Sequence, residues 1–355
     1  MAHRFIVAGG GTAGHIEPAL AVADAIIERD PTSRCEFLGT DGGLEKLLVP
    51  KRGYQLRTIP KVTLPRTLTF TSALFPIRLL LAIAKTFTEI RGATALIGFG
   101  GYVSAPAYLA AFLQRIPIVI HEANAKPGWA NRLGRHFASV SAVNFAEVQR
   151  QWPGAVTTGM PIRKSLASVI HMQDKSTFRR LHAESWGFDP NRPIVAIFGG
   201  SQGSAHINNV IAEYVAQGSD FQLIHAVGIN NALPEVRPNY LPLHYFHDMA
   251  AIYGSADLLI TRSGAVTCSE LAALGKYSIL IPLPHGNGEQ VDNAQSLVDQ
   301  GSALMVANEE FTAGWLRKNL ALAVESASRT THHVDSMNLH AADRIAELTL
   351  ELVKK

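Results

Sequence analysis

Residues Gly9 to His15, "GGGTAGH", stand between a short apolar run, "RFIVA", and a helix-like stretch, "IEPALAVADAIIER". Glycines let backbone N–H groups approach an oxyanion closely, and a helix N-terminus adds roughly half a positive charge. The order of strand, glycine loop and helix therefore suits a phosphate. Gly9-x-Gly11-x-x-Gly14 satisfies the dinucleotide fingerprint letter by letter, and Asp41 in "FLGTDGG" could serve as the ribose acid of such a site. No Lys-Ser or Lys-Thr follows the loop, which excludes a triphosphatase P-loop. His15 closes the loop, where a dinucleotide site has no special need of it. A neutral imidazole is suited to taking a proton from an alcohol near neutral pH. A helix-capping histidine is the alternative, and the loop alone leaves both open.

Further polar clusters follow apolar runs. "GFGGYVSAP" (Gly98–Pro106) offers open amides at Gly101 and a hydroxyl at Ser104. "HEANAKPG" presents His121, Glu122 and Asn124 at the end of a buried strand, where polar side chains are costly unless they bond something. "TRSGAVTCSE" places Arg262 before a turn at Ser263 and Gly264. Ala265, Val266 and Thr267 then open a helix whose free amides suit a phosphate, and Cys268 and Ser269 continue it. Glu270, on the same helix, is within reach of a ribose diol; a solvated helix carboxylate is the bland alternative. Gln290 and Asn293, three apart, put two amides on one helix face, suited to sugar hydroxyls. No Asp-x-Asp occurs and no His, Cys or Glu cluster has metal spacing, so neither a metal nor another cofactor is expected. A leaving diphosphate would then rely on helix dipoles and an arginine, for which Arg163 in "TTGMPIRKS" is the candidate.

The elements that must position these residues alternate. Runs such as "PIVIHE", "PIVAIFGG" and "DLLITRSG" are apolar on both faces, which marks parallel strands covered by helices. Amphipathic segments lie between them, giving the βαβ alternation of a doubly wound α/β fold. The alternation occurs twice. The second set opens like the first, with a strand, then "GGSQGS" carrying Ser201 and Gln202, then a helix. Two Rossmann-like domains are expected, over residues 1–162 and 163–335, with a terminal helix at 336–355 packing back on the first. Ligands of such sheets bind outside the carboxyl ends of the strands.

Composition narrows the class. The 355 residues carry a formal charge of +3, too mild to indicate nucleic acid. The N-terminus turns glycine-rich too soon for a signal peptide, and no run approaches the roughly 20 apolar residues of a membrane span. The two cysteines, Cys35 and Cys268, form no framework. The stretch Leu64–Arg91 is apolar with scattered cations, among them Arg66, Arg78, Lys85 and Arg91. Such a helix is either core or suited to an anionic lipid surface.

Together these motifs resemble the MurG family, the UDP-N-acetylglucosamine (UDP-GlcNAc) transferases that make lipid II for bacterial peptidoglycan. "GGTAGH", "GGYVSAP", "HEAN", "GMPIR", "GGSQG", "RSGAVTCSE" and "EQVDNA" occur in the family's order and spacing over nearly the whole chain. The resemblance implies a GT-B fold, a UDP-GlcNAc donor bound by the C-terminal domain and a lipid-linked MurNAc-pentapeptide acceptor bound by the N-terminal one. It implies inversion at the anomeric carbon, with His15, Glu122 and Arg163 as catalytic candidates. Thr12, Ala13, Gly14 and His15 fall on the family's first glycine loop. Asn124, Arg163 and Ser201 fall on substrate-contacting positions, and Phe246 where uracil is contacted. Ala265 to Glu270 are implied for diphosphate and ribose, and Gln290 for the GlcNAc hydroxyls. A peripheral location on the cytoplasmic face of the cell membrane is implied, with partners among cell-wall synthesis or division proteins. This chain departs from the family pattern at Ala13, usually glycine, at Glu17 and Ala19, often an apolar residue and glycine, and at Glu289, usually histidine or glutamine. A UDP-GlcNAc 2-epimerase, an NAD-dependent oxidoreductase and a non-catalytic sugar-nucleotide binder are the rival readings.

Overall fold

The computed structural model describes residues 2–62, 74–285, 287–329 and 334–354. The chain divides into two units, Met1–Arg163 with Met337–Lys355, and Lys164–Ser336.

In the first unit, seven strands form one sheet: β1 (Arg4–Ala8), β2 (Arg34–Gly39), β3 (Gln55–Thr58), β4 (Ala95–Gly98), β5 (Ile118–Glu122), β6 (Val140–Val143) and β7 (Val156–Thr157). They lie in the order β3-β2-β1-β4-β5-β6-β7, and every pairing is parallel. Alternate residues of β1 serve opposite faces. Phe5 and Val7 join one apolar cluster, Ile6 and Ala8 another. This two-sided burial is why the strand reads as a continuous apolar run. β3 is not visible that way in the sequence. It is a four-residue edge strand, "QLRT", with no fully buried side chain.

The helix Ala13–Arg29 packs its apolar face on β1 and β2, and the helix Met337–Lys354 packs against it through Ala342, Ile345 and Ala346. Arg29 and Asp343 add a 3.1 Å ion pair between them.

In the second unit, β8 (Ile194–Phe198), β9 (Gln222–Ala226), β10 (Tyr240–Leu243), β11 (Leu258–Thr261), β12 (Ser278–Leu280) and β13 (Ala303–Met305) form a parallel sheet. Their order is β10-β9-β8-β11-β12-β13. In each sheet the order runs outward in both directions from β1 or β8. The loops after those central strands and their neighbours β4 and β11 therefore lie at the point where the winding reverses, the usual ligand crevice.

The first part of the apolar stretch, with Arg66, Leu68 and Phe70, lies outside the described residues. The remainder forms the helix Phe75–Glu89, in which only Ala82 and Thr86 are buried. Ile77, Leu80 and Leu81 are 56%, 65% and 61% exposed, so this is not a core helix. Among the described residues no helix is long and apolar enough to cross a membrane.

Candidate active site

The predicted site residues fall at the carboxyl ends of strands, one set in each unit. In the first unit the loop after β1 packs on the loop after β4. Gly11, Gly100 and Gly101 all have positive φ (93°, 87° and 84°), which favours glycine. A Cβ on Gly101 would stand 2.4 Å from the Gly10 carbonyl oxygen, so the close approach of the loops also requires glycine. The His15 ring lies over Gly100 and Gly101. Its Nδ1 is 3.2 Å from the Thr12 hydroxyl, and the Gly10 backbone acts on the ring to favour its protonated form. Burial lowers its pKa below the ordinary value, against the raising effects of the Gly10 backbone and of Glu45. The imidazole is therefore neutral at pH 7 and held in one orientation.

Thr12 is the N-cap of the helix Ala13–Arg29 but makes no side-chain cap. The N–H groups of Ala13 and Gly14, the other two predicted loop residues, have no acceptor within the helix. Substituting alanine for glycine at position 13 leaves that amide in place.

Glu122 is 1% exposed. Oε1 accepts from Asn124 N and Nδ2, at 2.9 and 3.3 Å, and Oε2 accepts from Gly128 N and Asn131 Nδ2, at 3.1 and 3.0 Å. All four donors belong to the segment that follows β5. Burial raises the carboxyl pKa, opposed by these donors. Asn131 in turn accepts the Tyr108 hydroxyl at 2.7 Å. Glu122 thus shapes the loop that presents Asn124. His121 is buried, donates Nε2–H to the Gly159 carbonyl at 2.9 Å, and has its pKa pushed down to about 4 by burial. The Ser104 hydroxyl is also buried and donates to the carbonyls of Gly100, 2.7 Å, and Ala8, 3.2 Å. Arg163 is the last residue of this unit, and its Nε lies 3.3 Å from Glu17 Oε2.

In the second unit Arg262 follows β11 and is 8% exposed. Its NH1 donates to the Ile281 and Pro282 carbonyls at 3.0 and 3.1 Å, and its NH2 to Ser204 Oγ at 2.8 Å. The guanidinium thus ties together the ends of β8, β11 and β12. Gly264 is the N-cap of the helix Ala265–Leu274 and supplies no side-chain cap, so Ala265, Val266 and Thr267 open that helix with amides unclaimed by a capping side chain. Glu270 is buried on the same helix, and Tyr253 donates its hydroxyl to Oε2 at 2.9 Å. Cys268 and Ser269 are buried, and desolvation pushes the Cys268 thiol up to about 12, which keeps it protonated.

Ser201 and Gln202 lie in the loop after β8, and Asn231 Nδ2 donates to the Gln202 carbonyl at 3.0 Å. The Phe246 ring is 4% exposed and meets Phe198 edge-on with centroids 6.0 Å apart. Gln290 accepts the Leu283 N–H at 3.1 Å, and buried Asn293 donates to the Ser263 carbonyl at 3.4 Å. The helix bearing both starts with a reciprocal pair in which Glu289 Oε2 accepts Asn287 N–H and Asn287 Oδ1 accepts Glu289 N–H, both at 3.3 Å.

Sequence reasoning missed Glu45. It is fully buried, 34 residues from the loop it touches, and bonds the Gly11 N–H at 3.0 Å. The signal available was the crowd of glycines around it, at 39, 42 and 43.

Comparison with known proteins shows the family of the chain. The glycosyltransferase family 28 N-terminal domain matches residues 5–142, and the family's C-terminal domain matches residues 194–348. A UDP-N-acetylglucosamine--N-acetylmuramyl-(pentapeptide) pyrophosphoryl-undecaprenol N-acetylglucosamine transferase of Corynebacterium diphtheriae is 43% identical, across 99% of this chain and 97% of its own. The crystal structure of Acinetobacter baumannii MurG superposes with a TM-score of 0.67 at 24% identity, covering 98% of this chain and 100% of that one. A UDP-GlcNAc 2-epimerase from Neisseria meningitidis also shares the fold, with a TM-score of 0.61 at 14% identity, covering 99% and 100%. Fold alone therefore does not separate transferase from epimerase, but sequence identity along the whole chain does. The chain belongs to glycosyltransferase family 28 and, within it, to the MurG family.

Proposed function

We propose that this protein transfers GlcNAc from UDP-GlcNAc to the 4-hydroxyl of MurNAc in undecaprenyl-pyrophosphoryl-MurNAc-pentapeptide, converting lipid I to lipid II. The observation that carries the reading is the 43% identity, over 99% of the chain, to a transferase named for that reaction. In the proposed step the acceptor oxygen attacks the anomeric carbon as its proton passes to His15. The bond from that carbon to the diphosphate breaks, UDP leaves, and a β-1,4 linkage forms with inversion. A neutral, oriented imidazole suits His15 to this role. The first unit takes the acceptor, with its diphosphate on the amides of Thr12 to Gly14. The second takes the donor. Its leaving charge falls on the helix start Ala265–Thr267, the ribose diol on Glu270, and the sugar hydroxyls on Gln290 and Asn293. Arg163 supplies a cation for a diphosphate. Glu122 acts as a positioning residue through Asn124.

Docking on an anionic membrane surface is assigned to the helix Phe75–Glu89. Exposed Leu74, Ile77, Leu80, Leu81 and Phe87, with Phe112 and Leu113 on the packed helix Ser104–Leu113, would enter the lipid boundary. Arg78 and Arg91 would meet anionic headgroups.

Incubation with UDP-GlcNAc alone tests the rival of the same fold. The transferase releases UDP slowly at most and leaves the sugar configuration unchanged. Accumulation of UDP-ManNAc would identify an epimerase, and protection from heat by NAD rather than UDP an oxidoreductase.

A further inference from the structure

The Glu45 carboxylate is the first side chain of the helix Glu45–Lys51 and has no exposed surface. Among the described residues it forms no ion pair. Its Oε1 accepts the Thr40 N–H and hydroxyl, both at 2.8 Å, and its Oε2 accepts the Gly11 N–H at 3.0 Å. A Cβ added at Gly43 would stand 2.0 Å from Oε2, one at Gly39 2.4 Å from Cγ, and one at Gly10 3.0 Å from Oε1. Gly39 and Gly43 leave the room this carboxylate occupies, and Gly10 lies tight against it. A buried charge without a cation is costly, and donors aimed at the charged form are what hold it. These donors keep its pKa below the ordinary carboxylate value despite burial.

Glu45 also constrains the loop. With the Gly11 N–H turned back into the protein, the φ of 93° at Gly11 is fixed, and the chain leaves it toward Thr12 and His15. The groups facing the His15 imidazole are the Thr12 hydroxyl and the Gly10 carbonyl on its own loop, the Gly100 and Gly101 backbone, with Asn131 behind Gly100, and the charge of Glu45. Glu45 is the ionised member of that set.

We infer that Glu45 is a positioning residue of the transfer reaction, fixing the Gly11 peptide so that the loop presents Thr12 and His15 to the acceptor. The inference rests on the reading of His15 as base given above. Two substitutions separate the charge of the side chain from its reach. Glu45→Gln keeps the length but removes the charge and sets an amide donor against the Thr40 or Gly11 donors. Glu45→Asp keeps the charge but draws it back from Gly11.

The test is steady-state transfer to a soluble lipid I analogue across pH, with circular dichroism to confirm folding. For Glu45→Gln, the rising limb of kcat/KM should move to lower pH by about half a unit or more, because loss of the anion lowers the imidazole pKa. For Glu45→Asp the limb should stay in place while the acceptor KM rises about tenfold and the UDP-GlcNAc KM does not. Thr40→Val, which removes one donor and keeps the charge, should raise the acceptor KM in the same sense by less, and it decides the matter if Glu45→Gln does not fold. Unchanged acceptor KM in both Glu45→Asp and Thr40→Val overturns the inference. A wild-type protein inactive in transfer overturns the proposed function instead.

Discussion

Arg163 Nε lies 3.3 Å from Glu17 Oε2, with the two side chains only 17% and 15% exposed. Glu17 is one of the positions at which this chain departs from the family pattern. Its partner is the arginine to which the family resemblance assigns a substrate contact. Two charges this sheltered from solvent are costly to separate, because removing one leaves the other buried without its partner. Glu17→Gln should therefore reduce transfer severalfold through disordering of Arg163, while Arg163→Ala reduces it more. Equal activity of wild type and Glu17→Gln in a steady-state assay would show that the pair does not position the arginine.

Glu270 is expected to hold the ribose of the donor. Glu270→Ala should weaken UDP binding by about 1.5–3 kcal/mol, the range for a hydrogen bond to a charged group. Tyr253→Phe removes only the hydroxyl that reaches Glu270 at 2.9 Å and should change UDP affinity less. Calorimetric titration with UDP reads both, and unchanged affinity in Glu270→Ala would remove that residue from the site.

Two histidines make stability depend on pH. His121 and His225 are buried, and desolvation depresses each to about 4. His225 donates Nε2–H to Asn208 Oδ1 at 3.2 Å and accepts the Tyr240 hydroxyl on Nδ1 at 3.0 Å, so its neutral form is the one that fits. The unfolded chain takes up a proton near pH 6.5 while the folded one does not. Stability is therefore lost as pH falls from about 6.5 toward 4, by up to about 3 kcal/mol for each site. Thermal melts should show Tm falling over that interval, and His225→Gln should flatten the fall for the second unit. A Tm independent of pH between 6.5 and 4.5 would contradict the assignment.

The exposed apolar residues of the helix Phe75–Glu89 should control membrane binding. Leu80→Ser with Leu81→Ser should lower partition onto vesicles containing anionic lipid, and Arg78→Ser should lower it on anionic but hardly on neutral vesicles, by about 1 kcal/mol. Lys85 already bonds Glu89 at 2.7 Å, so Lys85→Ser should matter less than Arg78→Ser. Turnover of a water-soluble acceptor analogue should be unchanged in all of them. Vesicle binding equal to wild type would leave this face without its assigned role.

The strands that carry the glycine loops were legible because each is buried on both faces. β3 was not, because four residues at a sheet edge, one exposed and three half-buried, show neither a continuous apolar run nor a clear alternation. Residue types at the loop ends were legible, but their partners were not. Glu122 reads as a catalytic candidate that must bond something, yet the four donors it accepts from were not legible, because the local fold turns nearby residues back on it. Arg262 reads as a substrate-binding candidate, yet its terminal nitrogens clamp two carbonyls and a hydroxyl. Glu45 meets Gly11 only through the pairing of β1 with β2, a long-range consequence of the fold that no local pattern carries.

The central claim is that His15 serves the attack of an acceptor hydroxyl on UDP-GlcNAc. Its most direct test is transfer of labelled GlcNAc to a lipid I analogue by wild type and by His15→Ala, with product and released UDP both counted. Wild type should form the disaccharide with one UDP released per linkage. Its kcat/KM should rise with pH along a limb lying below the ordinary histidine value of about 6.5, because burial lowers the imidazole pKa. His15→Ala should lose about 10²–10⁴ in kcat while donor affinity is kept, and the limb should vanish. No disaccharide from wild type, or a His15→Ala enzyme within a few-fold of wild type with the same limb, would contradict the account.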